Sequence, residues 1–410
     1  MATGVVITGI GVLSPVGAGR DAYWTALCQG RTGFRPITLF DSTPFDVHIA
    51  GDVPDFDPLS LLGKKGLRDL DRSTRLVCSA AKLALEDGRL EITPENTGSI
   101  GVSIGATYGS LHSIAEFDLS GLLEGPRAVN PSHFPNTVIN SPASQVSIRF
   151  RIKGFNTTIS TGFCAGLDAI SYAADFIRLQ RAQAVLAGGV EELCEETFMA
   201  FHHLGQLSGR DGTEPVCCPF DARRNGIILS EGAAVLVLEN EQHALQRGAP
   251  ILAGILGYGT AFDYDSDGTF DRPHRGLRSA ISHALRDASL EPRYIDYVCS
   301  GANSSRGLDR MESAAIKEVL GERAATIPVS SIKSMVGESY SASGALAAAA
   351  AAGAVHRQFV PPTMNYREKD PECDLDYVPE RGRTVPLRTV LVTSADPSGQ
   401  ASALILGKYG

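Results

Sequence analysis

The residues of this chain best suited to covalent or metal chemistry are its eight cysteines, and their spacing decides what is open to them. They stand at Cys28, Cys78, Cys164, Cys194, Cys217, Cys218, Cys299 and Cys373. No Cys-x-x-Cys pair occurs and no histidine lies at ligand spacing, so no metal site is expected. Scattered through a long chain, they read as reduced thiols of a cytoplasmic protein rather than as a disulfide framework. Cys164 alone falls at a junction that chemistry often uses, in Ile159-Ser-Thr-Gly-Phe-Cys-Ala-Gly-Leu-Asp-Ala-Ile170 between a predicted strand and a predicted helix. The formal charge of −9, with no block of like charges, argues against a nucleic-acid partner.

The elements that must position such residues alternate along the chain. Short β-branched runs at Val5–Ile10, Gly98–Gly105, Thr157–Ser160, Ala184–Gly188 and Ala233–Leu238 predict strands. Apolar residues at three-to-four spacing predict helices over Arg72–Asp87 and Leu167–Gln180. The rhythm restarts after Gly248–Pro250, with strands at Ile251–Gly259, Tyr294–Ser300, Thr389–Thr393 and Ala401–Leu406 and helices at Gly276–Ala288 and Asp309–Leu320. This is the pattern of an α/β protein with buried central sheets, its two halves packed as one body. The opening Met1–Gly9 reads as a buried strand entering a turn, not as a signal peptide. The Ala-rich run 345–355 suits a tightly packed buried helix, and no apolar stretch reaches the roughly 18 residues a membrane span needs.

Several segments are more specific. Phe134-Pro-Asn-Thr-Val138, Pro219-Phe-Asp221 running into Gly226-Ile-Ile-Leu-Ser-Glu-Gly232, and Val329-Ser-Ser-Ile-Lys-Ser-Met-Val-Gly337 resemble β-ketoacyl synthases. So do Asn365-Tyr366 and Asp374-Leu-Asp-Tyr-Val-Pro379, and the similarity runs in order from about residue 3 to residue 406. The resemblance implies the thiolase fold, five αβαβα layers built from two similar halves, here residues 1–250 and 251–410, normally as a dimer.

In that family a cysteine at a sharp strand-to-helix turn carries the acyl chain, its pKa lowered by the helix N-terminus. Two histidines stabilise the enolate formed when malonyl thioester loses CO2. Anchoring the turn on Ser160-Thr161-Gly162 and Gly166-Leu167-Asp168-Ala169 puts Phe163 at the nucleophile position. Cys164 is one residue late, a rotation of about 100° on a helix, and reads as a small buried cysteine. The first histidine position is Gly301, in Cys299-Ser-Gly-Ala-Asn303, with Asp309 and Glu312 kept at the expected offsets. The second, after Lys333-Ser-Met-Val-Gly337, is Glu338, a carboxylate that repels a developing enolate. No catalytic residue is therefore expected. Lys333 and Glu231 are retained and read as scaffold, a buried lysine–carboxylate pair holding two loops together. The family's Gly-Phe-Gly-Phe gating loop is replaced by Ser394-Ala-Asp-Pro-Ser-Gly-Gln400.

A ketosynthase without its catalytic set resembles the chain length factors of type II polyketide synthases. The resemblance implies a heterodimer with an active ketosynthase, whose acyl tunnel this subunit would shape to limit polyketide chain length. The tunnel segment maps onto Ala106–Phe117, anchored by Glu124-Gly125-Pro126, with Ser110, Ser113 and Phe117 expected on one helical face and His112 beside them. Many members carry Gln at the cysteine position, and Phe163 departs from that. The substrate would arrive on the phosphopantetheine of an acyl carrier protein, and no cofactor, metal, nucleic acid or membrane is implied. Two alternatives stand beside this reading: an active condensing enzyme or acyltransferase using Cys164, and a stand-alone acyl-binding homodimer.

Overall fold

A computed structural model describes residues 4–263 and 275–410; Met1–Thr3 of the predicted opening strand lie outside them. Strand β1, Val5–Ser14, is buried at all ten positions. A bulge between Ile7 and Gly9 shifts its alternation, so Val5, Ile7, Ile10 and Val12 all join one apolar cluster. Leu13 faces the other way, into a second cluster. A strand buried on both faces needs apolar residues on both, which is why the run reads as continuous rather than alternating.

The other main strands are β2 (Ile100–Gly105), β3 (Asn156–Ile159), β4 (Ala184–Glu191), β5 (Gly232–Asn240), β6 (Ala253–Phe262), β7 (Tyr297–Cys299), β8 (Val329–Ser330), β9 (Thr389–Ala395) and β10 (Gln400–Gly407). They form one sheet in the order β3-β2-β4-β5-β1-β6-β10-β9-β7-β8. The same five-strand pattern occurs twice. In the first half β2 lies parallel to β3 and β4, while β5 runs antiparallel to β4 and β1. In the second, β7 lies parallel to β8 and β9, while β10 runs antiparallel to β9 and β6. The halves join through an antiparallel β1–β6 contact from Val5↔Ile255 to Ile7↔Ala253.

The helices that frame the sheet are α1 (Arg72–Asp87), α2 (Leu111–Glu124), α3 (Ala165–Arg178), α4 (Glu195–His203), α5 (Arg275–Asp287), α6 (Arg306–Leu320) and α7 (Ser341–Arg357). Asp71 caps α1 by accepting from the Thr74 N–H at 2.8 Å. The packing of α1 against β1 is close enough that a Cβ on Gly11 would stand 1.9 Å from the Ala80 carbonyl oxygen. Helix α1 covers the outer face of the first half, and α5 and α6 cover that of the second. Helices α3 and α7 lie between the halves, in the central cluster. The five layers of the thiolase fold follow, and the Ala-rich run is the buried part of α7, where only small side chains fit between two faces.

Element ends moved where side chains took over backbone bonds. The strand expected over Tyr294–Ser300 is only Tyr297–Cys299, because Pro292–Tyr294 form a 3₁₀ turn and the Asp296 carboxylate accepts the N–H groups of Arg388 and Thr389 at 2.7 and 3.1 Å. Strand β4 continues past Gly188 to Glu191, whose side chain is buried. No helix among the described residues is long and apolar enough to cross a membrane.

Candidate functional site

At the end of β3 the chain turns through Gly162–Cys164 into α3. Gly162 has φ of +61°, a left-handed backbone that glycine adopts without steric cost. The next residue, Phe163, is buried, with its ring 6.4 Å from that of Phe201 on α4 and 5.7 Å from that of Tyr340. Lys333 Nζ lies 5.9 Å from the Phe163 ring centroid, within cation–π reach. Cys164 faces elsewhere. Its Sγ sits 3.6 Å from the Gln400 carbonyl oxygen on β10, and burial, followed by the nearby Asp168, pushes its thiol pKa well up.

Glu338 is brought to the same pocket. Its Oε2 accepts from Lys333 Nζ at 2.7 Å and Asn303 Nδ2 at 2.8 Å, and its Oε1 from the Tyr340 N–H at 3.1 Å and Ser343 Oγ at 2.7 Å. The ion pair expected between Lys333 and Glu231 is therefore not formed. Glu231, just before β5, instead pairs with Arg72 and accepts the Val53 and Leu193 N–H groups. Gly301 approaches β9 so closely that a Cβ there would stand 2.8 Å from the Thr393 carbonyl oxygen. Its N–H donates to Glu312 Oε1 at 3.1 Å, and Thr393 Oγ1 donates to the same oxygen. Burial raises the pKa of Glu312. Asp309 accepts the N–H groups of Phe220 and Asn303 at 2.8 and 2.9 Å, and burial pushes its carboxyl up to about 7.

The segment expected to line the tunnel leads into α2. Helix α2 begins at Leu111, so Ser110 is the residue before it, buried and with its Oγ unpartnered, while Ser113 and Phe117 lie half-buried on the helix itself. Ser110 is the N-cap, and its carbonyl accepts the Ile114 N–H at 3.0 Å as the first bond of the helix. His112 is exposed, and its Nδ1 lies 3.0 Å from Glu196 Oε1. The Phe117 ring lies 6.2 Å from that of Phe134.

Sequence reasoning did not single out Phe201, Tyr340 or Asn303 as pocket residues, nor the pair Glu191 and Glu192. Glu191 accepts the N–H groups of Thr107, Tyr108 and Gly109 at 2.9, 3.1 and 3.0 Å. Glu192 accepts those of Ser73 and His112 at 3.2 and 3.3 Å. A Glu-Glu pair closing an apolar strand was the available signal, since two adjacent buried carboxylates need dedicated donors. As built, the pocket surrounds an aromatic ring with other rings and with a cation already paired to a carboxylate. No group of His, Cys, Asp and Glu able to hold a metal occurs among the described residues.

Comparison with known proteins agrees with this architecture. The chain is 36% identical over 406 residues to the 3-oxoacyl-[acyl-carrier-protein] synthase 2 of Coxiella burnetii, covering 98% of each chain. It is 38% identical over 414 residues to the tetracenomycin polyketide synthase ketoacyl synthase alpha subunit of Streptomyces glaucescens, covering 98% of this chain and 97% of that one. Among solved structures, the ishigamide ketosynthase/chain length factor superposes over 100% of both chains with a TM-score of 0.93 at 35% identity. Residues 2–244 match the family described as "Beta-ketoacyl synthase, N-terminal domain" and residues 252–367 its C-terminal domain, so the chain belongs to the β-ketoacyl synthase family.

Proposed function

We propose that this chain is a non-catalytic, chain-length-factor-type subunit that pairs with an active ketosynthase of a type II polyketide synthase and shapes the tunnel that sets chain length. The observation that carries this reading is the Phe163 pocket. A phenyl ring stands where the family has its nucleophile, and the lysine beneath it is neutralised by Glu338 at 2.7 Å. Relatives at similar identity include synthases, so similarity alone does not separate the two roles; the residues at 163, 301 and 338 support the non-catalytic one. The competing reading, an enzyme using Cys164, needs an accessible thiolate, whereas this thiol is buried and its pKa is raised. In the proposed role the chain is cytoplasmic, divides near residue 250, needs no cofactor of its own, and works on acyl groups borne by an acyl carrier protein, with Ser110, Ser113 and Phe117 toward the tunnel and His112 at its edge.

Helix α2 supports a partner. It buries no residue within the chain, yet exposes Leu119, Leu122 and Leu123. Uncovered apolar surface of this kind marks an interaction site. The test is to co-express the chain with an active ketosynthase encoded beside it and weigh the purified species by native mass spectrometry. A one-to-one heterodimer is expected. A lone, stable homodimer in the presence of that ketosynthase would overturn the proposal in favour of a stand-alone acyl-binding protein.

A further inference from the structure

The backbone N–H of Phe163 opens the turn leading into α3, where unpaired N–H groups and the helix dipole attract negative charge. In acyl transfer, a backbone donor at the nucleophile's own residue holds the carbonyl oxygen as it becomes an oxyanion. Here that donor is taken. Asp396 Oδ2 accepts it at 2.9 Å. The carboxylate is held in place by its own turn: Oδ1 accepts the Ser398 N–H at 2.7 Å, the Asp396 N–H donates to the Gln400 carbonyl at 2.8 Å, and Gly399 closes back at 3.0 Å. Pro397 fixes φ in the middle of the turn. Gly162 leaves the space, since a Cβ there would stand 2.0 Å from Asp396 Oδ2. From the same loop Ser394 Oγ donates to the Phe163 carbonyl at 3.0 Å. A cleft of about 440 Å³, lined in part by Gln206, Ser305, Arg306 and Pro397, reaches this turn, and Phe163 is not among its lining residues.

We infer that Asp396 is a built-in anion that fills the carbonyl-binding position of the turn, closing the pocket to a thioester independently of the missing nucleophile. The inference rests on the proposed function only in taking the turn to be a silenced acyl-transfer site. A thiol introduced by Phe163→Cys would form a C–S bond to the acyl carbon of an acyl N-acetylcysteamine thioester. The donor's C–S bond would break, and N-acetylcysteamine would leave as a thiol carrying the proton the cysteine lost. Intact-mass measurement should show that Phe163→Cys alone acylates at least tenfold more slowly than Phe163→Cys/Asp396→Ala; equal rates would overturn the inference. Amide hydrogen exchange of peptides covering 160–165 gives a second readout in the otherwise native chain. Asp396→Ala should speed exchange there about tenfold, as losing a hydrogen bond to a charged acceptor does. Asp396→Asn, whose amide oxygen still accepts, should stay within about twofold of native. Unchanged exchange in Asp396→Ala, or an equal rise in both variants, would also overturn it. Neither readout involves a partner subunit, so each fails separately from the heterodimer measurement.

Discussion

Glu338 and Lys333 are both buried, and removing one partner of a buried ion pair leaves the other charge uncompensated. Glu338→Ala strands the ammonium beneath the Phe163 ring and leaves Asn303 Nδ2 without that acceptor. The expected cost is about 3–5 kcal/mol, read as a lower urea midpoint. Adding Lys333→Met should recover most of that loss, because an apolar side chain of similar volume carries no desolvation penalty. A double variant no more stable than Glu338→Ala would mean that the pair is not the source of the loss. Flanking motifs singled out 163, 301 and 338 in the sequence, and the structure brings Phe163 and Glu338 together around Lys333. The partner of Lys333 was not legible beforehand. Glu231 and Glu338 are both carboxylates in the sequence, and only the fold, which gives Arg72 to the first and Lys333 to the second, decides between them.

Helix α2 is positioned from its N-terminal end by two adjacent carboxyls that close β4. Burial pushes Glu191 up to about 7, and burial with the Asp71 charge pushes Glu192 up to about 8. A carboxyl whose folded pKa lies above its unfolded value binds a proton more tightly when folded. Its stabilising contribution is complete below the unfolded pKa and is lost as pH rises through the folded one. For Glu192 that window runs from about 4.5 to about 8. The groups facing it are Asp71, Glu191, the Arg72 guanidinium and the Ser73 and His112 N–H groups, with the His112 ring turned toward Glu196. Peptides covering 107–113 should therefore exchange amide hydrogens faster relative to the rest of the chain, after correction for intrinsic rates, as pH rises across that window. Glu192→Gln should flatten the dependence. A slope unchanged in Glu192→Gln would assign it to other groups. The strand-helix alternation around this element was readable from periodicity, and Ser110 is of a favoured N-cap type, although its Oγ makes no cap bond to α2.

At the scale of the molecule, the doubled five-strand pattern explains why the chain reads as two α/β runs, and why the central run of alanines is needed where both halves bear on α7. The sheet ends at β3, a short edge strand whose residues are exposed or half-buried, and an uncovered edge invites pairing. Of the eighteen large hydrophobic side chains exposed among the described residues, ten fall between Tyr108 and Leu179, the stretch containing α2 and β3. Sequence periodicity could not expose this concentration, because an apolar helix reads the same whether its cover comes from its own chain or from another. If the cover is the partner ketosynthase, binding to the folded state alone must raise the thermal midpoint as partner is added, by mass action. Leu122 is 82% exposed, so Leu122→Asp should leave the midpoint of the lone chain nearly unchanged, as surface substitutions do. In the presence of saturating partner the same variant should lose most of the rise, because a charge would be buried unpaired in the interface. A rise as large as that of the native chain would take α2 out of the interface and leave β3 as the face to test.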